Sequence, residues 1–119
     1  MPVRHVSDVK REPIRAGVAT SIQVLIDQKE GPNFSMRRFE MQPGGSMPLH
    51  TNTVEHEQFV LSGEARVRIG DDTFDVRPGS VVYIAAGTPH DYRVLGAVPF
   101  AFLCLVPNIE DQIVMVEER

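Results

Sequence analysis

A chain of 119 residues has room for one hydrophobic core and not for two. Its formal charge of −4, with basic residues scattered along the length, excludes the cationic patch that a nucleic acid or an anionic membrane surface requires. A single cysteine, Cys104, leaves no internal disulfide, and neither a signal-peptide core nor a long apolar run occurs, so the sequence predicts one soluble, cytoplasmic domain over 1–119.

Residues 1–19 mix Val3, Val6, Val9 and Ile14 with charges and Pro13, which predicts at most a short edge strand. Residues 21–26 are rich in β-branched side chains and read as a strand. Gly31, Pro32 and Asn33 break it, and residues 34–42 resume as a second strand. Pro43, Gly44 and Gly45 predict a loop, after which extended backbone leads to Phe59-Val60-Leu61 and a turn at Ser62-Gly63. In 65–69, Val67 and Ile69 alternate with Arg66 and Arg68, and Gly70-Asp71-Asp72 turns this strand into 73–76, a hairpin with one wet face. Strands follow at 81–84 and 90–95, separated by a loop holding Gly87 and Pro89. Residues 99–106 are apolar almost throughout and read as a strand buried on both faces. The tail from 109 to 119 holds one more strand, paired either within the domain or with another subunit. About nine short strands and no helix of ten residues define an all-β chain, a sandwich or closed barrel.

Within 44–63, His50, Asn52 and His56 are separated by even steps. An extended strand sends alternate side chains to one face, so these three point the same way, while Glu55 and Glu57 face the other. Neutral imidazole offers a lone pair near neutral pH and Asn adds a carbonyl oxygen, which makes the trio a candidate metal site. Of the four histidines, His90 also follows a glycine loop and His5 stands apart. Same-face spacing is common in any β-protein, and a single His is more often merely buried or exposed, so a second motif has to decide.

The order is Gly44, five residues, His50, one residue, Asn52, three residues, His56, six residues, Gly63; then Gly79, five residues, Ala85, one residue, Gly87, two residues, His90. This resembles the two signature motifs of the cupin family, G-x5-H-x-H-x3,4-E-x6-G and G-x5-P-x-G-x2-H-x3-N. Over about 18–107 the runs PNF-MR-F, EHE-FVL-G and FLC-P resemble the small single-domain bacterial cupins of the Thermotoga type. The resemblance implies a double-stranded β-helix, a jelly-roll-like barrel with its core at about 34–106 and edge strands at both ends. It also implies one divalent transition metal ion, manganese in those relatives, and a homodimer, which the apolar termini favour as well.

Four positions depart from the motifs: Asn52 replaces the second His, His56 the Glu, Ala85 the Pro and Val94 the Asn. The Thermotoga-type relatives also carry His at the Glu position, so the resemblance implies His50, His56 and His90 as ligands, with Asn52 an optional fourth and Glu57 second in rank to His56. A neutral three-nitrogen set leaves the ion its full charge, which favours an anionic or enolate-like ligand. Imidazole suits Zn, Cu, Fe and Ni, and the resemblance adds Mn.

Parity places Tyr92 with His90, and Phe100 and Phe102 with Cys104, as a pocket wall or as ordinary core; Met47 is grouped with the same pocket. Arg37 is an anion contact by resemblance and a solvated strand residue otherwise. Cys104 reads as a small hydrophobe, not a nucleophile. The expectation is a metal-dependent, dioxygenase-like enzyme acting on a small unsaturated or enolisable molecule, the alternative a non-catalytic protein that binds or senses a small molecule.

Overall fold

Strand β3 (Phe34–Asn52) is the axis of the fold, 19 residues long. The computed structural model describes residues 2–117. The other strands are β1 (Glu12–Pro13), β2 (Val18–Ile26), β4 (His56–Ser62), β5 (Glu64–Ile69), β6 (Asp72–Val76), β7 (Val81–Ile84), β8 (His90–Leu95), β9 (Phe100–Pro107) and β10 (Ile113–Met115), with one 3-10 turn at Val6–Asp8 capped by His5. Every pairing among the described residues is antiparallel, and β3 pairs with four strands, β2, β8, β9 and β10. Along the path β6-β5-β8-β3-β9-β4-β7 the sheet curls into a half-barrel whose end strands, β6 and β7, line opposite sides of one apolar cleft. The chain is all-β, as the turn spacing predicts.

Period-2 alternation explains which face turns inward. His56, Gln58 and Val60 of β4 are buried while Glu57 and Phe59 are exposed; Ala65 and Val67 of β5, and His90, Tyr92 and Val94 of β8, point the same way. Strand β9 departs from the expectation of burial on both faces. Phe100, Phe102, Cys104 and Val106 are buried, but Leu103 and Leu105 are only half-buried, because nothing thick covers their side of the sheet.

The loop expected at residues 43–45 is instead a bulge inside β3. Thr20 pairs with Met41 and Val18 with Ser46, so four residues of β3 stand opposite Ala19 alone. Ala19 accommodates this with a positive φ of 48°, uncommon for a residue with a Cβ. The chain then returns to the same partner, which is why the turn signal did not end the strand. The expected N-terminal edge strand is β1, and the tail strand β10 pairs within the chain, against residues 50–52.

At Gly63 the turn between β4 and β5 demands glycine twice: its φ is +71°, and an added Cβ would collide with the Pro99 carbonyl. No helix of the described residues is long and apolar enough to cross a membrane.

Candidate functional site

A cavity of about 250 Å³ opens inside the curl of the sheet, and all but one of the residues grouped from sequence line it: Arg37, Met47, His50 and Asn52 from β3, His56 from β4, Tyr92 and His90 from β8, Phe102 and Cys104 from β9. Phe100 lies deeper, in the core beside Phe102. Glu55 and Glu57 are exposed on the outside.

The histidines reach the cavity by a route different from the one strand that parity implies. β3 stops at Asn52, and His56 is the first residue of β4, so its even spacing from His50 is incidental. A second bulge acts on the other side. Met47 pairs with Tyr92 and His50 with His90, leaving Pro48 and Leu49 opposite Asp91 alone. Proline is tolerated there because a bulge leaves ladder positions unfilled. The extra residue switches the parity of β3, so Arg37, Phe39 and Met47 at odd numbers share a cavity with His50 and Asn52 at even ones. It also brings the His50 and His90 rings together, centroids 4.2 Å apart and tilted by 53°, with His56 5.6 Å from His90.

His50 Nδ1 stands 2.8 Å from the Pro48 carbonyl and His90 Nδ1 2.9 Å from the Thr88 carbonyl. A carbonyl only accepts, so each Nδ1 carries a proton, and in the neutral tautomer that this selects, Nε2 is the atom with the lone pair. His56 Nδ1 is bracketed by Cys104 Sγ at 3.2 Å and Arg37 Nη2 at 3.3 Å, while its Nε2 is buried without a partner. Two tautomers satisfy different neighbours. With the proton on Nδ1 it goes to the Cys104 sulfur and Nε2 offers a lone pair; with the proton on Nε2, Nδ1 accepts from the guanidinium. Burial is the main cause that pushes the His56 pKa down to about 3, helped by the Arg37 charge, and burial likewise lowers His90 to about 4. Both rings are neutral at pH 7.

Asn52 Nδ2 donates to Asp111 Oδ2 at 3.0 Å, which leaves Oδ1 buried without a partner. Asp111, at the rim, also accepts from the Thr53 backbone N–H at 3.0 Å. Burial pushes the Cys104 thiol up, against the opposing pull of Arg37, so the sulfur stays protonated; burial also raises Tyr92. Gln58 lies two residues along β4 from His56 and donates to the Tyr92 hydroxyl at 2.7 Å. Sequence reading passed over Gln58, although the same even step would have found it. Ile113 and Asp111 carried no local signal, since their place at the site depends on β10 returning to β3.

Among the described residues no three His, Cys, Asp or Glu side chains are drawn close enough to close on one ion. The donor chemistry nonetheless fits a divalent cation: two Nε2 lone pairs fixed by backbone carbonyls, an orphaned Nε2 on His56 and an orphaned amide oxygen on Asn52 border one cavity.

A curled antiparallel sheet around a histidine-lined cavity defines a small β-barrel domain. The chain belongs to the cupin family: residues 37–106 match the cupin domain. It resembles the polyketide cyclase RemF of Streptomyces resistomycificus, with 32% identity and a TM-score of 0.90 over 100% of this chain and 87% of that one. A predicted oxalate decarboxylase of Thermotoga maritima shares the fold, at 19% identity and a TM-score of 0.78 over 96% and 99% of the two chains. An uncharacterised protein of Methanocaldococcus jannaschii is 32% identical over 62 residues, 51% of this chain and 50% of its own length. The chain thus spans about half the length of the curated relatives it matches.

Proposed function

We propose that this cupin is a metal-dependent enzyme for a small enolisable carbonyl compound, with His50, His56, His90 and Asn52 holding one divalent ion. The observation that carries the reading is the pair of bonds from His50 and His90 Nδ1 to the Pro48 and Thr88 carbonyls, which orient both Nε2 lone pairs beforehand. A divalent ion held there supplies Lewis-acid stabilisation to an oxygen that gains negative charge. The chain's own residues do the rest. Phe39, Phe102 and Tyr92 line the cavity and exclude water, Arg37 brings a fixed positive charge, and the Gln58–Tyr92 hydrogen bond joins two walls.

Similarity to a polyketide cyclase over the whole chain supports enolate chemistry. A cavity of about 250 Å³ favours a compound of one-ring size over a long polyketone. The oxygenase reading shares the same enolate and differs only in consuming O₂.

The test is elemental analysis of untagged protein, beside His50→Ala and Asn52→Ala. About one divalent ion per chain, lost in His50→Ala, is expected. Loaded protein then consumes enol absorbance in a panel of small β-keto acids and β-diketones, and an oxygen electrode separates ring closure or isomerisation from oxygenation. No ion after reconstitution with Mn, Fe, Ni, Zn or Cu overturns the metal reading. A loaded protein inert across the panel leaves a binding protein.

A further inference from the structure

The cavity contains a cation without a counter-ion. Arg37 lines it, and its recorded contacts are His56 Nδ1 and Cys104 Sγ, each at 3.3 Å, and the face of Phe39 at 5.0 Å. None of these is anionic. Among the described residues no carboxylate lies within ion-pair distance of Arg37, whereas Arg38 beside it pairs with Glu40. The Arg37 Nε is buried with no hydrogen-bond partner. No Asp or Glu lines the cavity, and Asp111 at its rim already accepts from Asn52 and Thr53. A half-buried guanidinium facing only neutral groups is costly in the free protein, and that cost is relieved by a ligand bringing a negative charge.

The shape of the wall specifies the rest of the ligand. Phe39 stacks on Phe102, centroids 5.1 Å apart and 16° from parallel, and Phe102 stacks on Tyr92 at 5.3 Å and 19°. The guanidinium lies over the Phe39 ring and so ends this stack, and a wall of aromatic rings leads directly to the positive charge. The volume of about 250 Å³ exceeds the ~150 Å³ of an apolar cavity that admits benzene, by about the space of one short substituent.

We propose that the cavity is a site for a planar, one-ring monoanion, an aromatic or conjugated carboxylate or enolate, whose ring lies along Phe39, Phe102 and Tyr92 and whose anionic oxygens meet Arg37. The proposal rests on reading this cavity as the functional site, and it names the charge and shape of what enters. It does not require the metal.

The test is calorimetric titration of protein stripped of divalent ions with benzoate, its neutral isostere benzamide and the cation benzylammonium, at low ionic strength. Benzoate binds at least tenfold more tightly than benzamide, and benzylammonium gives no heat. Arg37→Gln loses the preference for benzoate, and Arg37→Lys keeps part of it; near-ultraviolet circular dichroism checks that both variants are folded. Equal binding of benzoate and benzamide to the unaltered protein overturns the proposal with no variant needed, as does a benzoate preference undiminished in folded Arg37→Gln. Benzoate selectivity in a protein that never takes up metal supports this proposal while removing the metal-dependent function, so the two fail separately.

Discussion

Gln58 Nε2 donates a 2.7 Å hydrogen bond to the Tyr92 hydroxyl and so ties β4 to β8 across the interior, although the two strands are not neighbours in the sheet. Both side chains are buried, at 6% and 5% exposure, so neither has water as a substitute partner. Tyr92→Phe leaves the Gln58 amide with only the Cys104 sulfur at 3.8 Å and costs about 1–3 kcal/mol. Gln58→Leu combined with Tyr92→Phe removes the donor and the acceptor together, and denaturant melts place the double variant above the sum of the two singles. Strict additivity would show that the pair is not coupled.

Acid should weaken the metal-free protein through its buried histidines. His56 and His90 are held at about 3 and about 4 in the fold, chiefly by burial, against roughly 6.5 in the unfolded chain. Between those values the unfolded chain binds more protons than the folded one, so stability is present above about pH 6.5 and is lost as pH falls toward 4. Thermal melts from pH 8 to 4.5 follow this directly. Melting temperature declines through the lower half of the range, and His90→Gln shows a shallower decline. A profile that is flat, or that rises on acidification, contradicts the assignment of both rings as buried and neutral.

Two motif glycines should respond very differently to the same methyl group. Gly63→Ala meets a positive φ and the Pro99 carbonyl at once, and loses upward of ~3 kcal/mol or fails to fold. Gly87 also has a positive φ, +80°, but nothing lies within 4 Å of an added Cβ. There the cost is backbone strain alone, about 1–2 kcal/mol. Expression yield and chemical denaturation rank the two, and equal losses would count against a steric role for Gly63.

Asp111 holds the tail against the cavity rim through Asn52 Nδ2 and the Thr53 N–H. Asp111→Ala removes both acceptors from a half-open site, for about 1 kcal/mol. Hydrogen exchange locates the effect better than a melt does. The Val116 amide, which donates to the Leu49 carbonyl at 3.0 Å, exchanges faster in the variant, while amides in β5 are unaffected.

Much of this arrangement is legible in the sequence because glycine turns and alternation are local. The strands from β4 to β9 lie between Gly63, Gly70, Gly79, Gly87 and Gly96, all with positive φ, and the turn signals bracket them. His50, Asn52, His56 and His90 were legible through the motif spacing, whereas Phe39, Met41 and Gln58, which line the same cavity, lie outside the motif positions. Continuity of β3 was not, because Pro43-Gly44-Gly45 is a genuine break signal whose outcome depends on whether β2 still offers pairing beyond it. The parity argument placed His56 correctly for an incorrect reason, and it gave no account of Met47 beside His50, since one residue inserted at Pro48-Leu49 reverses every face after it. Asp111 is set by pairing between residues about sixty positions apart, a relationship no window of sequence contains.

The pairing of β3 with β8, β9 and β10 also orders events during synthesis. Arg37 is registered against Cys104, and His50 and Asn52 against residues 115 and 113, so each of these three positions of β3 has a partner translated about 60 residues or more later. A nascent chain that has produced all of β3 and β4 already carries Arg37, His50 and His56, but β3 then has only β2 to pair with, and β4 awaits β7 and β9. The cavity is therefore walled in only once β8, β9 and β10 have all followed, because each of them borders β3.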